Sequence, residues 1–482
     1  MMLITFAVGL FLLRAFSAIS LYEPLQLMTS GDELSSHLAI WRYVNDLSIY
    51  TDRFQTPYYF AGYNWLYYHF YGFVVQTTLN VVGTHDAWIP TIARLITVMG
   101  CILGSWTAYH LLRISECNRT ICFSLAVFLF YGPLVGFWGL TVRPDIWVIT
   151  LELMGIYVFL KYFDKNIVLS VISAAIIFYL VWSFKQSGVI GLCSVGTFLL
   201  IKKRIDLAIL YATIISLFWF LTFYFGGENY YNSIFFTGVE MVFTLERGIR
   251  NAFNFTAKFL PIIIIFIIFV FSIVRTGSYS KLYRDNNALF AITGVLISLC
   301  LAIPASMQTG ASENYFFSTS VFLTLSAVHI SKVINLNSSA LSRYAVNGSI
   351  AIVCLLIILV PLKGLGVINV RQQHLAFLEG QVCIRDLPAP SFVNNRQLSF
   401  PWVSPGSEGY VLSHFYYIER AANMDFAEGG IGGRINDNFF SSLAIAGLEP
   451  NATHYDGGSL AGYERQADTC AGYNIYLRKY PD

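Results

Sequence analysis

The chain has 482 residues, of which 56% are hydrophobic and 12% charged, and its formal net charge is +2. A soluble domain carries roughly twice that charged fraction, so a soluble globular enzyme is excluded, and the near-neutral balance implies no nucleic-acid partner. Aromatic residues make up 16% and gather near the ends of the apolar runs, where amphipathic rings favour a membrane interface.

A membrane-crossing helix needs about 20 apolar residues. That criterion predicts about eleven spans, near 3–22, 91–112, 120–140, 146–161, 167–183, 188–201, 206–225, 257–274, 288–304, 316–330 and 346–362. The first run, Met1 to Leu21, has neither a basic start nor a small-residue cleavage site, so it reads as a retained span that also serves as the targeting signal. With a cytoplasmic N-terminus, the inner connections hold Arg113 and Arg119, Lys161 and Lys165, Lys202 to Arg204, then Arg275, Lys281 and Arg284, and finally Lys332 and Arg343. The short outer connections hold mainly Arg143 and Lys185. This positive-inside bias sets the orientation.

Three segments then lie outside. The first loop, about 23–90, carries helical pattern over Glu33 to Val44 and Trp65 to Val82 with many Tyr and Trp, which predicts helices lying along the interface. The second, about 226–256, has an aromatic amphipathic stretch around Tyr230 to Phe243. After the last span, residues 363–482 turn polar and rich in Gly, Pro, Asn and Ser, long enough for a small domain. The expected architecture is therefore an all-α polytopic membrane protein over 1–362, with a small α/β extracytoplasmic domain over 363–482. Six of the eight cysteines fall in spans or inside; Cys383 and Cys470 bracket the outer tail and are expected to form a disulfide, two unpaired thiols being the alternative.

Ionisable groups at membrane depth are costly and mark functional sites by default. On the outer side they occur in four places. Asp32 and Glu33 follow Gly31 where a helix could begin; N-terminal capping explains one such carboxylate but does not require two. Arg143-Pro144-Asp145 suits a helix start, and it also brings an Arg and a carboxylate to the depth of the first loop. Lys185-Gln186, in an apolar hairpin, reads equally as an anion site or a snorkelling lysine. Glu313-Asn314-Tyr315 completes the set. Glycosyl transfer needs this combination, a carboxylate to take the acceptor hydroxyl's proton and cations to hold the leaving phosphate.

These residues resemble the GT-C superfamily of membrane glycosyltransferases, in particular bacterial relatives of protein O-mannosyltransferases and the lipid A aminoarabinose transferase. The likeness rests on Gly31-Asp32-Glu33 in a long first outer loop, Tyr63-Asn64-Trp65-Leu66-Tyr67-Tyr68 later in it, then Arg143-Pro144-Asp145, Phe184-Lys185-Gln186 and Glu313-Asn314-Tyr315-Phe316. It implies an inverting transferase using a polyprenyl-phosphate sugar, with a lipid, glycan or protein acceptor. Asp32 would be the catalytic base, with Glu33 second; Asp145 would position acceptor or base; Arg143, Lys185 and Gln186 would meet the donor phosphate. Tyr63, Tyr67, Tyr68, Glu313, Asn314 and Tyr315 would line the donor and acceptor site. The relatives' tyrosine-proline motif stands here as Tyr63-Asn64-Trp65, without the proline. No cofactor is required by this reading. Some superfamily members bind a divalent cation through such carboxylates, but no ligand spacing here compels a metal. The rival class is a transporter or flippase of a lipid-linked or anionic substrate, which would favour an inverted repeat with charges near the bilayer midplane.

Overall fold

The computed structural model describes residues 2–20, 25–29, 32–115, 117–235, 242–334, short pieces between 348 and 374, and 381–479 apart from 395–397, 408–409, 411, 413, 447–455 and 471. Thirteen helices build the first two thirds: α1 (Met2–Ala18), α2 (Asp32–Val44), α3 (Trp65–Val82), α4 (Ile89–Arg113), α5 (Arg119–Tyr131), α6 (Asp145–Phe163), α7 (Ile167–Phe184), α8 (Ile190–Ile201), α9 (Ile205–Phe235), α10 (Leu245–Thr276), α11 (Tyr279–Arg284), α12 (Asn286–Ser306) and α13 (Phe317–Ile334). Among the described residues six are long and apolar enough to cross a membrane: α4 with the short turn before it, α6, α7, α9, α10 and α12. The apolar helices α5 and α8, with 13 and 12 residues, are shorter than the predicted spans at 120–140 and 188–201. The predicted span at 346–362 falls largely outside the described residues.

The shortfall at α5 has a local cause. Gly132 leaves the helix in an extended conformation (φ −77°, ψ −175°), as expected for a residue preceding a proline, here Pro133. The chain then makes a short turn at Trp138–Leu140 and runs as irregular backbone into α6. Two other boundaries move outward. α9 continues to Phe235 across a kink at Gly227, whose φ of +75° suits glycine. α10 begins twelve residues before the predicted 257, its first turns packing Gly248, Asn251 and Phe255 inward.

The expected interfacial helices of the first loop are α2 and α3. Their inward faces are buried: Leu34, Leu38 and Ala39 on α2, with Tyr67, Tyr68, Tyr71 and Val75 on α3. One continuous core runs from these helices through α4 to α8, and Leu398, Phe400 and Val403 of the tail belong to it.

The tail contains a four-stranded sheet, β1 (Ser391–Val393), β2 (Ser442–Ala446), β3 (Tyr463–Cys470) and β4 (Tyr473–Arg478), in the order β1-β2-β4-β3. β1 pairs parallel to β2, and the other pairings are antiparallel. Tyr58 of the first loop enters the tail's own core beside Tyr410, Tyr416 and Phe426. The ion pair Arg53–Glu419 (2.7 Å), both side chains buried, ties the two segments. Cys383 is disulfide-bonded; the side chain of its expected partner Cys470 lies outside the described residues.

Candidate active site

Proline and charge decide where α6 starts. Pro144 occupies the N-cap position and its carbonyl accepts from Val148 N (3.0 Å), so Asp145 is the first helical residue. α7 ends where Lys185 turns extended (φ −153°, ψ 131°), and the turn closes through Gly188 N on Lys185 O. These two helix ends bring Asp145 and Lys185 together although they are forty residues apart in sequence: Lys185 Nζ donates to Asp145 Oδ1 at 2.7 Å. Asn314 Nδ2 donates to the same oxygen at 2.7 Å. Arg143 Nε lies 3.4 Å from Oδ2, an ion-pair contact.

The side chains of Asp145 and Lys185 are only 4% and 9% exposed. Lys185 Nζ also stands over the rings of Tyr315 (5.1 Å) and Tyr63 (5.8 Å), while Arg143 covers the Trp138 ring (4.7 Å) and donates from Nε to Tyr63 Oη (3.2 Å). Two cations thus converge on one carboxylate and leave a positive surplus. A cavity of about 160 Å3 opens against Asp145, Lys185, Asn314, Tyr315 and Ser318, with Val148 and Ile190 among its apolar walls. That is well below the roughly 300–1,000 Å3 of a small-molecule site, so it fits an anionic head group better than a whole ligand.

Glu33 is placed differently. It is fully buried, and five donors occupy its two oxygens: Met28 N (2.9 Å), Thr29 N (2.6 Å) and Thr29 Oγ1 (2.9 Å) on one, Arg94 Nη2 (3.2 Å) and Val142 N (3.1 Å) on the other. Burial by itself would raise its pKa, but Arg94, His37 and the backbone donors hold it below the usual carboxylate range. Its neighbour His37 donates from Nδ1 to Glu33 O (2.9 Å), is fully buried, and is pushed by that burial down to about 4, against the pull of Glu33. Asp32 opens α2, but only its backbone is described.

The remaining predicted residues divide. Tyr63, Tyr67 and Tyr68 pack edge-on or tilted as one aromatic group, with ring centroids 4.9 to 6.3 Å apart. Tyr67 Oη donates to Val142 O (3.1 Å) and Tyr68 Oη accepts from Tyr63 N (3.2 Å). Gln186 Nε2 holds Gly62 O (2.8 Å) rather than facing the cations. Glu313 turns away to Lys258 of α10 as an ion pair. Asn64 accepts from Tyr230 Oη (2.9 Å) and donates to Trp182 O.

Sequence reasoning passed over Arg94, Glu152 and Lys258. Two of the three touch predicted site residues, Lys258 at Glu313 and Arg94 at Glu33, and Arg94 also holds the carbonyls of Leu25 and Leu140. Glu152 lies two turns below Asp145 on α6, buried beside Ser318 and Gly191. The signal for both was a charge inside an apolar helix. Among the described residues no three His, Cys, Asp or Glu side chains gather as a metal site would require.

No family model and no curated protein matches the chain by sequence. Solved structures do match. ArnT from Cupriavidus metallidurans in the apo state superposes with a TM-score of 0.59 over 98% of this chain and 97% of that one, at 11% identity. AglB, the oligosaccharyltransferase of the archaeon Archaeoglobus fulgidus, bound to an inhibitory peptide and a dolichol-phosphate, matches with a TM-score of 0.50 over 91% and 69%, at 11% identity. The Archaeoglobus fulgidus oligosaccharyltransferase with Zn and sulfate gives 0.53 over 92% and 67%, at 12% identity. The chain shares the fold of these structures. Within this fold the Asp145 cluster, the Glu33 anchor and the aromatic group of α3 all lie at one end of the helical bundle, the end on which the tail packs.

Proposed function

We propose that this protein is an inverting glycosyltransferase that moves a sugar from a polyprenyl-phosphate donor to a lipid, glycan or protein acceptor on the extracytoplasmic face of a membrane. The observation that carries the reading is the pair of buried cations, Arg143 and Lys185, converging on Asp145 at the mouth of a head-group-sized cavity. The GT-C fold supports it.

In the reaction proposed, the acceptor hydroxyl oxygen attacks the anomeric carbon from the face opposite the phosphate. The bond from that carbon to the phosphate oxygen breaks, and the polyprenyl phosphate leaves with the bonding pair. Asp32 takes the acceptor's proton. Lys185 and Arg143 stabilise the charge that develops on the leaving phosphate. In this scheme Asp145 sets the direction of both cations, its Oδ1 receiving Lys185 and Asn314 and its Oδ2 facing Arg143 at 3.4 Å. Glu33 is a structural anchor whose oxygens are filled. It aligns the start of α2, and with it Asp32, against the segment leading to Arg143. Should a divalent cation take part, this scheme would give Asp32 the role of holding it.

The test is transfer from a panel of radiolabelled polyprenyl-phosphate sugars into membrane lipid, glycan and protein, by purified full-length protein and its Asp32→Asn variant in nanodiscs. Transfer by the wild type alone is the expected result and identifies the donor. Equal activity in both proteins removes Asp32 as the base. Uptake of the labelled lipid across the bilayer without any transfer supports the transporter class instead.

A further inference from the structure

At the end of the bundle opposite the Asp145 cluster, α4 and α5 run antiparallel and leave a groove of about 610 Å3 between them. Its polar and apolar residues are sorted along its length. Tyr109 near the end of α4 stands level with Arg119 and Thr120 at the start of α5. One to two turns deeper, Trp106 faces Phe123, and deeper still Ile102 faces Val127. From Ile102 to Tyr109 the rise is about 10 Å. The hydroxyl of Ser105, the one polar side chain at depth, is turned back onto Ile102 O (2.9 Å).

The rim of this groove is open and apolar: Ile102 is 57% exposed, Trp106 63% and Phe123 41%. At the polar end Arg119 and Thr120 are exposed, and no carboxylate lines the groove among the described residues. The N-terminus of α5, with its partial positive charge, points to the same end. Asn118 satisfies one of its amides, accepting from Thr120 N (2.9 Å). Arg113 is engaged with Cys117 O.

We propose that this groove is a binding site for a single anionic phospholipid of the leaflet opposite the transfer site. Its phosphate sits between Arg119, Tyr109 and Thr120, and one acyl chain lies along Phe123, Trp106 and Ile102. The sorting of residues selects an amphiphile, since a purely apolar occupant leaves three polar groups facing a lipid interior. Arg119, with no carboxylate lining the groove among the described residues, selects a net negative head group over a zwitterionic one. This site is independent of the donor site, and its occupancy is measured without the transfer reaction.

The experiment is native mass spectrometry of the full-length protein released from vesicles containing equal parts phosphatidylglycerol and phosphatidylcholine. The wild type is expected to retain one phosphatidylglycerol in preference to phosphatidylcholine. Arg119→Gln should lower that retention roughly fivefold, as for loss of one basic residue near a membrane surface, and Arg119→Lys should largely keep it. Ile102→Trp, which fills the apolar end without changing charge, should also displace the lipid. Equal retention of both lipids by the wild type overturns the proposal. So does unchanged phosphatidylglycerol retention in Arg119→Gln, or in Ile102→Trp. Thermal melting of each variant separates loss of the lipid from loss of the fold.

Discussion

Glu33→Gln separates an anchor from a base. In the native arrangement one carboxylate receives five donors from three places: the chain leaving α1, Arg94 on α4, and Val142 before α6. A glutamine has one accepting oxygen. If that oxygen faces Met28 and Thr29, the amide NH2 points at Val142 N–H and the Arg94 guanidinium; turned over, it points at the other three donors. Either way two or three buried donors go unsatisfied, at about 1–3 kcal/mol each. Arg94 also loses the one carboxylate paired with it among the described residues. Removing one partner of a buried ion pair costs about 3–5 kcal/mol, a large share of the roughly 5–15 kcal/mol that holds a protein folded. We expect Glu33→Gln to destabilise by about 3–5 kcal/mol, read as a lowered melting temperature in detergent or nanodiscs, while transfer per folded molecule stays within a few-fold of wild type. A variant that melts like wild type yet transfers nothing would refute the reasoning and return Glu33 to the reacting groups.

Other expectations can be checked alongside. Lys185→Gln removes one partner of a buried ion pair and so lowers the melting temperature, and per folded molecule it raises the donor KM about tenfold or more, the scale of one charged hydrogen bond lost, with a smaller change in the acceptor KM. Asp32→Asn abolishes transfer and keeps expression and melting, because the anchor role belongs to its neighbour. His37, held near 4 in the fold, is neutral there while its unfolded counterpart takes up a proton below about 6.5. The unfolded state therefore binds more protons between those values, and stability falls on acidification through that window by up to about 1.4 kcal/mol per pH unit. His37→Phe, measured by melting temperature against pH, should flatten that slope. Glu419→Ala removes the carboxylate paired with the buried Arg53 guanidinium and should expose the tail to limited proteolysis before the helical bundle melts.

The parts legible in the sequence were those with local causes. α2 and α3 follow from helical pattern and aromatic load within the first loop, and Pro144 and Asp145 mark the start of α6 as proline and an acidic residue do elsewhere. The same local logic was available at Gly132-Pro133, where α5 breaks, and was overridden by the length of the apolar run. What stayed hidden depends on pairing across distance. Nothing near Glu313 in sequence announces Lys258, and nothing near Glu33 announces Val142 N. The adjacency of Asp32 and Glu33 made both candidates for the base, Asp32 first and Glu33 second. Only the surrounding donors distinguish the anchor, and those come from residues up to 109 positions away. The parallel pairing of β1 with β2 is of the same kind, joining segments about fifty residues apart.

Among the described residues, three of the buried ion pairs at this end of the molecule join residues forty or more positions apart in sequence. Glu33–Arg94 fixes α2 on α4, Asp145–Lys185 fixes the start of α6 on the end of α7, and Arg53–Glu419 fixes the first loop on the tail. Buried pairs of this sort are poor sources of net stability, since desolvation offsets most of their attraction. An apolar contact would hold these joints as firmly, but it would tolerate sliding by a fraction of a turn. A charged pair with further hydrogen bonds has one satisfied geometry, and displacement leaves charge unpaired. A phosphate-holding cluster assembled from three separate segments needs that intolerance, because misplacement by about 1 Å can cost two orders of magnitude in rate. The joints are therefore best understood as alignment devices, which is why breaking Asp145–Lys185 should impair donor recognition in the molecules that remain folded, beyond the lowered melting expected when one partner of a buried pair is removed.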